Sequence, residues 1–425
     1  MLIAFVIILF TCLILGFPII FPLLVSALFL FVTEMQGMQS MMLVQQFVGG
    51  VSSFVLLAIP MFILAGEIMA KGEISERLVN FVQVFVGHLP GGLAITTAGA
   101  CTLFGSISGS TQATIAAIGR PMRKKMLSAG YSDEATMGLI INASDIAVLI
   151  PPSSIMIMYA VVTGTSVGDL FMAGVVPGVI MFLFIAVYSI FSAKKTGVPI
   201  EKKSTFKEKM IALKRALLAL GFPILVLGGI YSGLFSPTEA SAAAVLYALI
   251  IELFIYRSIK VKDLVDIGVS TAKTTAVVFV LVAAGAVFSW VISFAQVPTM
   301  ITSTLLGVTP SVFRIFLVIN LIFFVGCMFV DSLVLITVVT PIFFPIAQQA
   351  GIDPVLLGVI ITMQSAIGCA TPPFGCNIFT ACALFNAEYI TVIKKTWAYI
   401  GMFLVITLLI MLIPDIALCL VKILN

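Results

Sequence analysis

Long apolar runs alternate with short polar punctuation from one end of the chain to the other. A helix needs roughly 20 apolar residues to cross a bilayer. On that measure the pattern predicts spans near 2–16, 18–33, 50–70, 134–165, 169–193, 216–234, 237–256, 274–296, 354–386 and 396–421. Two further places hold paired half-length segments, 90–105 with 109–121 and 310–326 with 331–349. Segments 41–49, 78–87, 261–270 and 298–306 are short and amphipathic, as helices lying along the membrane surface are. The expectation is an all-α polytopic membrane protein.

Composition agrees. Of 425 residues, 61% are hydrophobic and 9% charged, where a soluble domain would carry about 25% charged. The first run has no basic flank and no small-residue cleavage site, so it reads as a retained helix. Several function classes fall away. There is no GxxxxGK[ST] phosphate loop. The single histidine, His88, has no partners for a histidine metal site. The seven cysteines lack CxxC or zinc spacing and read as packing thiols. A net charge of +4 is no nucleic-acid footprint; it reports topology instead.

The segment Lys194 to Arg215 holds eight basic and two acidic residues, which the positive-inside rule places in the cytoplasm. If each half-length pair enters and leaves by one face as a re-entrant hairpin, only Arg314 and Lys422 of the 22 basic residues fall outside. If either pair crossed instead, every charge downstream would invert. Charge parity therefore predicts the hairpins where hydropathy cannot.

The order of elements recurs. Pro18 matches Pro237, Pro90 matches Pro310, Pro121 matches Pro341, Gly138 matches Gly358, and Pro151-Pro152 matches Pro372-Pro373, at offsets of 219, 220, 220, 220 and 221. Each half, 1–215 and 216–425, holds five crossings plus a hairpin. Five is odd, so the halves have opposite orientation, an inverted repeat typical of secondary transporters. The Pro-Pro pairs break membrane helices, and by the helical register they free the carbonyls of Ala147 and Val148, and of Gly368 and Cys369. Freed carbonyls survive in a bilayer only where protein, water or a ligand takes them up. Each break is expected beside a hairpin tip, "GSISGS" (Gly105 to Ser110) or "GCMFVDS" (Gly326 to Ser332).

Carbonyls and hydroxyls without a fixed charge in the first tip suit Na⁺ better than a transition metal. The N-termini of the half-helices after the breaks offer N–H groups to an anion beside Ser153 and Ser154. Asp145 and Asp331 are intramembrane carboxylates and so candidates for function. Glu67, Glu239 and Glu252 lie near helix ends, where interfacial or interdomain pairing is expected.

The stretches "GFPIIFPLL", "FGSISGSTQATIAAIG", "GYSDEATMGLIINASDIAVLIPPSS", "FSPTEASAAAVLYAL", "DSLVLITVVTPIFFPIA" and "ATPPFGCNIF" resemble the large membrane subunit of tripartite ATP-independent periplasmic (TRAP) transporters, across nearly the whole chain. Among its members the sequence looks most like the sialic acid type. The resemblance implies an elevator-type fold in which a transport part, about 88–165 and 309–386, moves against a scaffold formed by the remainder. It implies Na⁺ as coupling ion and no organic cofactor. Its implied partners are a separate small four-helix membrane subunit and a periplasmic substrate-binding protein, at the bacterial inner membrane. Carried onto this chain, it gives a first sodium site at Ser106 and Ser108 with the backbone near Asp145, Val148 and Pro151. Gly326 and the backbone near Cys369 and Pro372 give a second, and Ser108, Ser153, Ser154 and Asp331 face the substrate.

The expected function is therefore Na⁺-coupled import of an organic acid, sialic acid preferred, with a C4-dicarboxylate or another sugar acid as alternative. An ion channel or an intramembrane enzyme is the different-class alternative. One histidine supplies no catalytic constellation, and two broken helices around an occluded site favour alternating access over a pore.

Overall fold

A computed structural model describes residues 2–297, 300 and 311–424. Pro310 and most of segment 298–306 lie outside the described residues. The described residues form helices and no strand. Six helices are long and apolar enough to cross a membrane, or seven if one bent pair counts as a single span.

The first repeat opens with α1 (Leu2–Ile14), α2 (Ile20–Glu34), α3 (Met41–Gly50), α4 (Ala58–Lys71) and α5 (Ile74–Val86). Helix α3 buries none of its residues, as the amphipathic reading of 41–49 expects. Then comes the first hairpin: α6 (Gly92–Ser108) descends, and α7 (Thr111–Thr114), a π turn (Ile115–Gly119) and α8 (Arg120–Ser128) return. A broken helix follows, α9 (Asp133–Ser144) and α10 (Ser154–Thr163), with α11 (Val167–Thr196) closing the repeat.

The second repeat runs α12 (Phe206–Tyr231), α13 (Pro237–Leu249) with a π segment Ile250–Ile255, and α14 (Val261–Phe294). Its hairpin is α15 (Val312–Cys327) and α16 (Ser332–Gln349); its broken helix is α17 (Pro354–Cys369) and α18 (Cys376–Phe385). Short α19 (Tyr389–Ile393), α20 (Trp397–Leu412) and α21 (Asp415–Leu424) complete the chain. Both hairpins and both breaks stand where charge parity and the proline pairs put them.

Three expectations need correction. The surface helix 261–270 and the span 274–296 are one continuous helix, α14, 34 residues long. Only Gly268 interrupts the stretch 261–273, and one glycine costs a helix about 1 kcal/mol, too little to end it. The last span bends by 59° between α20 and α21, where Pro414 cannot supply the N–H that would continue α20. Glu239 pairs across no interface, because it closes a capping box with Ser236 at the start of α13. Glu252 is wholly buried and pairs across the two repeats, the interdomain alternative of its expectation.

The surroundings of Glu252 explain its burial. Its Oε2 accepts from Ser258 Oγ and from the backbone N–H of Glu73 at 3.4 Å. A second-repeat carboxylate thus caps α5, where negative charge is favoured by the helix dipole. Gly72 is required there: a Cβ would stand 2.1 Å from the Glu252 carboxyl carbon. Arg77 braces the same joint, stacking 3.7 Å from the centre of the Tyr256 ring. Glu252→Ala strands buried donors at a cost of about 1–3 kcal/mol. A lowered unfolding midpoint and faster proteolysis near residue 73 are expected, and Glu252→Gln should retain most of the stability. Equal midpoints for the alanine variant and wild type would remove this joint from the account of stability.

Candidate functional site

The first tip is seated on the first break by backbone contact. Helix α6 ends at Gly109, with φ +58°, and its N–H returns to Gly105 O at 2.9 Å. A Cβ on Gly109 would lie 2.2 Å from Pro152 O, and one on Gly105 would lie 2.4 Å from Ala147 Cα. Ser154 Oγ donates to Gly109 O at 3.2 Å. Small residues at the tip therefore let two backbones touch.

At the break, Leu149 and Ile150 both donate to Ile146 O, after the tight turn Asp145–Val148. Val148 and Pro151 are buried there. Ser106 and Ser108 are buried in the tip, 3% and 6% exposed. Ser106 Oγ donates to Leu103 O at 2.6 Å, and Ser108 Oγ pairs with Thr114 Oγ1 at 3.2 Å. Ser153 is buried and caps α10, accepting from the Met156 N–H; Ser154 is more open.

The second half is looser. Gly326 O accepts from the N–H groups of both Phe329 and Val330, at 3.0 and 2.9 Å. Ser332 Oγ lies 3.1 Å from Cys369 Sγ and donates to Ser365 O at 3.3 Å. A Cβ on Gly368 would lie 2.6 Å from Cys327 Cβ. Tip and break are again adjacent. The carbonyl of Gly368 is not freed as the helical register predicts, because the Thr371 N–H turns back onto it at 3.1 Å. Pro372 joins Pro373 through a cis bond, as Pro151 joins Pro152. Asp331 caps α16 through the Leu333 N–H at 2.9 Å, and the residue is exposed on the chain taken alone. Beside it, Phe329 and Phe374, each more than half exposed, have ring centroids 5.6 Å apart.

The two halves are laced together through Asp145, a sequence candidate, by Thr111 and Asn377, which sequence reasoning missed. Thr111 Oγ1 donates to Asn377 Oδ1, and Asn377 Nδ2 donates to Asp145 Oδ1, both at 2.8 Å. Nearer the cytoplasmic face Arg123 grips Asp133 with two hydrogen bonds of 2.7 and 2.9 Å, and donates to Phe385 O at 2.9 Å. Lys394 reaches Glu134 at 3.1 Å. Asn377 was legible as the one amide in "CNIFTACALF", though nothing in the sequence says what it touches.

Several buried oxygens on the two pre-break helices have no partner among the described residues: Asn142 Oδ1, Asp145 Oδ2, Gln364 Oε1 and Ser365 Oγ. Carboxylate, amide, hydroxyl and carbonyl oxygens at two broken helices fit a hard monovalent cation. Among the described residues no group of three or more His, Cys, Asp or Glu could hold a metal ion.

Comparison with known proteins agrees with this architecture. Residues 6–416 match the family model described as "Tripartite ATP-independent periplasmic transporter, DctM component". The chain is 49% identical over 407 residues to the ectoine TRAP transporter large permease protein TeaC of Halomonas elongata, covering 96% of this chain and 95% of that one. It is 34% identical over 406 residues to the sialic acid TRAP transporter large permease protein SiaM of Vibrio cholerae, covering 95% of each. A crystal structure of the Alcanivorax borkumensis YdaH transporter, described as having an unusual topology, shares the fold. Its TM-score is 0.62 at 16% identity, over 87% of this chain and 86% of that one. An inverted repeat of hairpins and broken helices, and a family match over nearly its whole length, lead to one conclusion: this multi-pass inner-membrane chain belongs to the DctM-component family, the large permease subunits of TRAP transporters.

Proposed function

We propose that this permease imports a zwitterionic organic acid of the ectoine kind, driven by Na⁺. The observation that carries the reading is the charge at the site. Asp331 is an exposed acidic residue two positions after Phe329, which pairs with Phe374, and neither tip nor break contains a lysine or arginine. Ectoine joins a carboxylate to a cyclic amidinium. Its cationic end would suit the aspartate and the aromatic faces. Its carboxylate would take the N-terminal end of α10 beside Ser153 and Ser154, and hydroxyls such as Ser108. Sialic acid has no cationic end to match Asp331, and a C4-dicarboxylate has a second anion to be repelled. The greater identity to an ectoine permease than to a sialic acid permease supports the same choice.

Na⁺ would occupy the first site at Ser106, Ser108 and the backbone near Asp145, Val148 and Pro151, and the second at Gly326, Cys369 and Pro372. The lacing of Thr111, Asp145 and Asn377, and of Arg123 with Phe385, supports a single transport unit of 88–165 and 309–386. That unit would move as an elevator against the scaffold. A separate small membrane subunit would cover part of the apolar outer face, and a periplasmic binding protein would deliver substrate.

The test is uptake into proteoliposomes holding this chain, its small subunit and its binding protein. Ectoine, sialic acid and succinate are offered under inward Na⁺ or K⁺ gradients. Ectoine uptake that needs Na⁺ is expected. Asp331→Asn should lower ectoine uptake about tenfold or more, the worth of one charge-assisted hydrogen bond of roughly 1.5–3 kcal/mol, with the Na⁺ dependence unchanged. Sialic acid or succinate carried in preference would refute the zwitterion, and equal uptake in K⁺ would refute the coupling.

A further inference from the structure

Asp145 is 0% exposed, yet only one of its two oxygens has a partner. Oδ1 accepts from the Asn377 amide at 2.8 Å; Oδ2 meets no donor among the described residues. None of the ion pairs among the described residues involves it. An ionised carboxylate taken out of water and left half matched is strongly disfavoured until a cation reaches it. One turn earlier, Asn142 Oδ1 is buried and unpartnered too. Residues three apart share a helix face, so two free oxygens lie on one side of the helix that leads into the break.

The partner chosen for Asp145 matters. A lysine or arginine there would cancel the charge, whereas an amide orients the carboxylate and leaves the charge in place. In the structure the amide Oδ1 accepts from Thr111 Oγ1 while Nδ2 donates to Asp145 Oδ1, both at 2.8 Å, the orientation an ionised carboxylate requires because it can only accept. Thr111 opens α7 just past the first tip, Asp145 opens the first break, and Asn377 comes from the helix after the second break. One side chain of the second repeat therefore sets the carboxylate of the first.

We propose that the Asp145 carboxylate gives the first cation site its fixed negative charge and that Asn377 is the residue that positions it. Cation binding in one repeat then depends on the seating of the other. This rests on the Na⁺ coupling proposed above, and it adds a charged ligand to a site otherwise built from hydroxyls and backbone.

Thermal unfolding of the purified full-length chain tests it, with NaCl titrated against choline chloride at constant ionic strength. In wild type, Na⁺ raises the midpoint in a saturable way. Asp145→Asn keeps the shape and hydrogen bonding but not the charge, and should raise half-saturating Na⁺ about tenfold or more. Asn377→Leu keeps the volume but not the amide, and should raise it by a smaller factor, about threefold or more. A folded Asp145→Asn protein with wild-type half-saturation would overturn the inference, as it would if that carboxyl were a permanently protonated hydrogen-bond donor. If Asp145→Asn does not fold, an unchanged half-saturation in Asn377→Leu overturns it alone. No Na⁺ response in wild type would instead remove the Na⁺ coupling itself, and this site with it.

Discussion

Gly109→Val is expected to abolish most uptake while leaving the protein inserted in the membrane. Gly109 has φ +58°, and a Cβ there would press on Pro152 O at 2.2 Å. The obstacle is backbone, so no side chain can swing aside. A left-handed β-branched residue costs about 1–2 kcal/mol, and forced repacking about 1–3 kcal/mol more. Lifting the tip from its break by that margin lowers the seated population roughly thirtyfold or more. Gly130→Ala is the control: its φ is +88° with nothing within 4 Å of the added Cβ. It should cost a little stability and leave uptake near normal. Uptake by Gly109→Val within twofold of wild type, normalised to protein in the membrane, would show that the tip leaves the break during transport.

The second large effect is expected from Ser106→Ala with Ser108→Ala. Ser106 Oγ uses its proton on Leu103 O, which leaves its lone pairs free to accept a cation. Ser108 is buried at the tip itself and shares a proton with Thr114. The remaining ligands of this tip would be backbone. Losing both hydroxyls should raise the Na⁺ needed for half-maximal uptake about tenfold or more, on the scale of hydrogen bonds to charged groups, roughly 1.5–3 kcal/mol each. Maximal uptake at saturating Na⁺ should fall less. Unaltered Na⁺ dependence in the inserted double variant would take this tip out of the ion site.

What the sequence made legible was whatever carries a strong local rule. Pro-Pro pairs must break a helix, and charge parity must place a hairpin, so both repeats could be drawn before any coordinates. Weak local rules failed. Gly268 could not end α14, and the amphipathic turn simply continued into the membrane. Contacts between distant segments have no local signature at all. Glu252 reaches Glu73 across 179 residues, and Asn377 reaches Asp145 across 232. The carboxylates could be singled out from the sequence, but their partners could not until the fold brought them together. Substrate choice was hidden for a further reason. The stretches most like the family build tips, breaks and packing, and these serve any cargo. A sialic acid preference read from them rests on resemblance alone, because no side chain in them singles out one cargo.

The capped joint at Glu252 also constrains how the protein is made. The ribosome releases the N-terminal N–H groups of α5 179 residues before the carboxylate that satisfies them. At roughly 5–20 residues per second, that helix waits on the order of 10–40 s with its end unsealed. Residues 1–215 alone lack the carboxylate that caps this end, and a nascent chain halted before residue 252 should present α5 to proteases more readily than the full chain does. Full translation, rather than insertion of the first repeat, is the step at which this end of the molecule becomes sound.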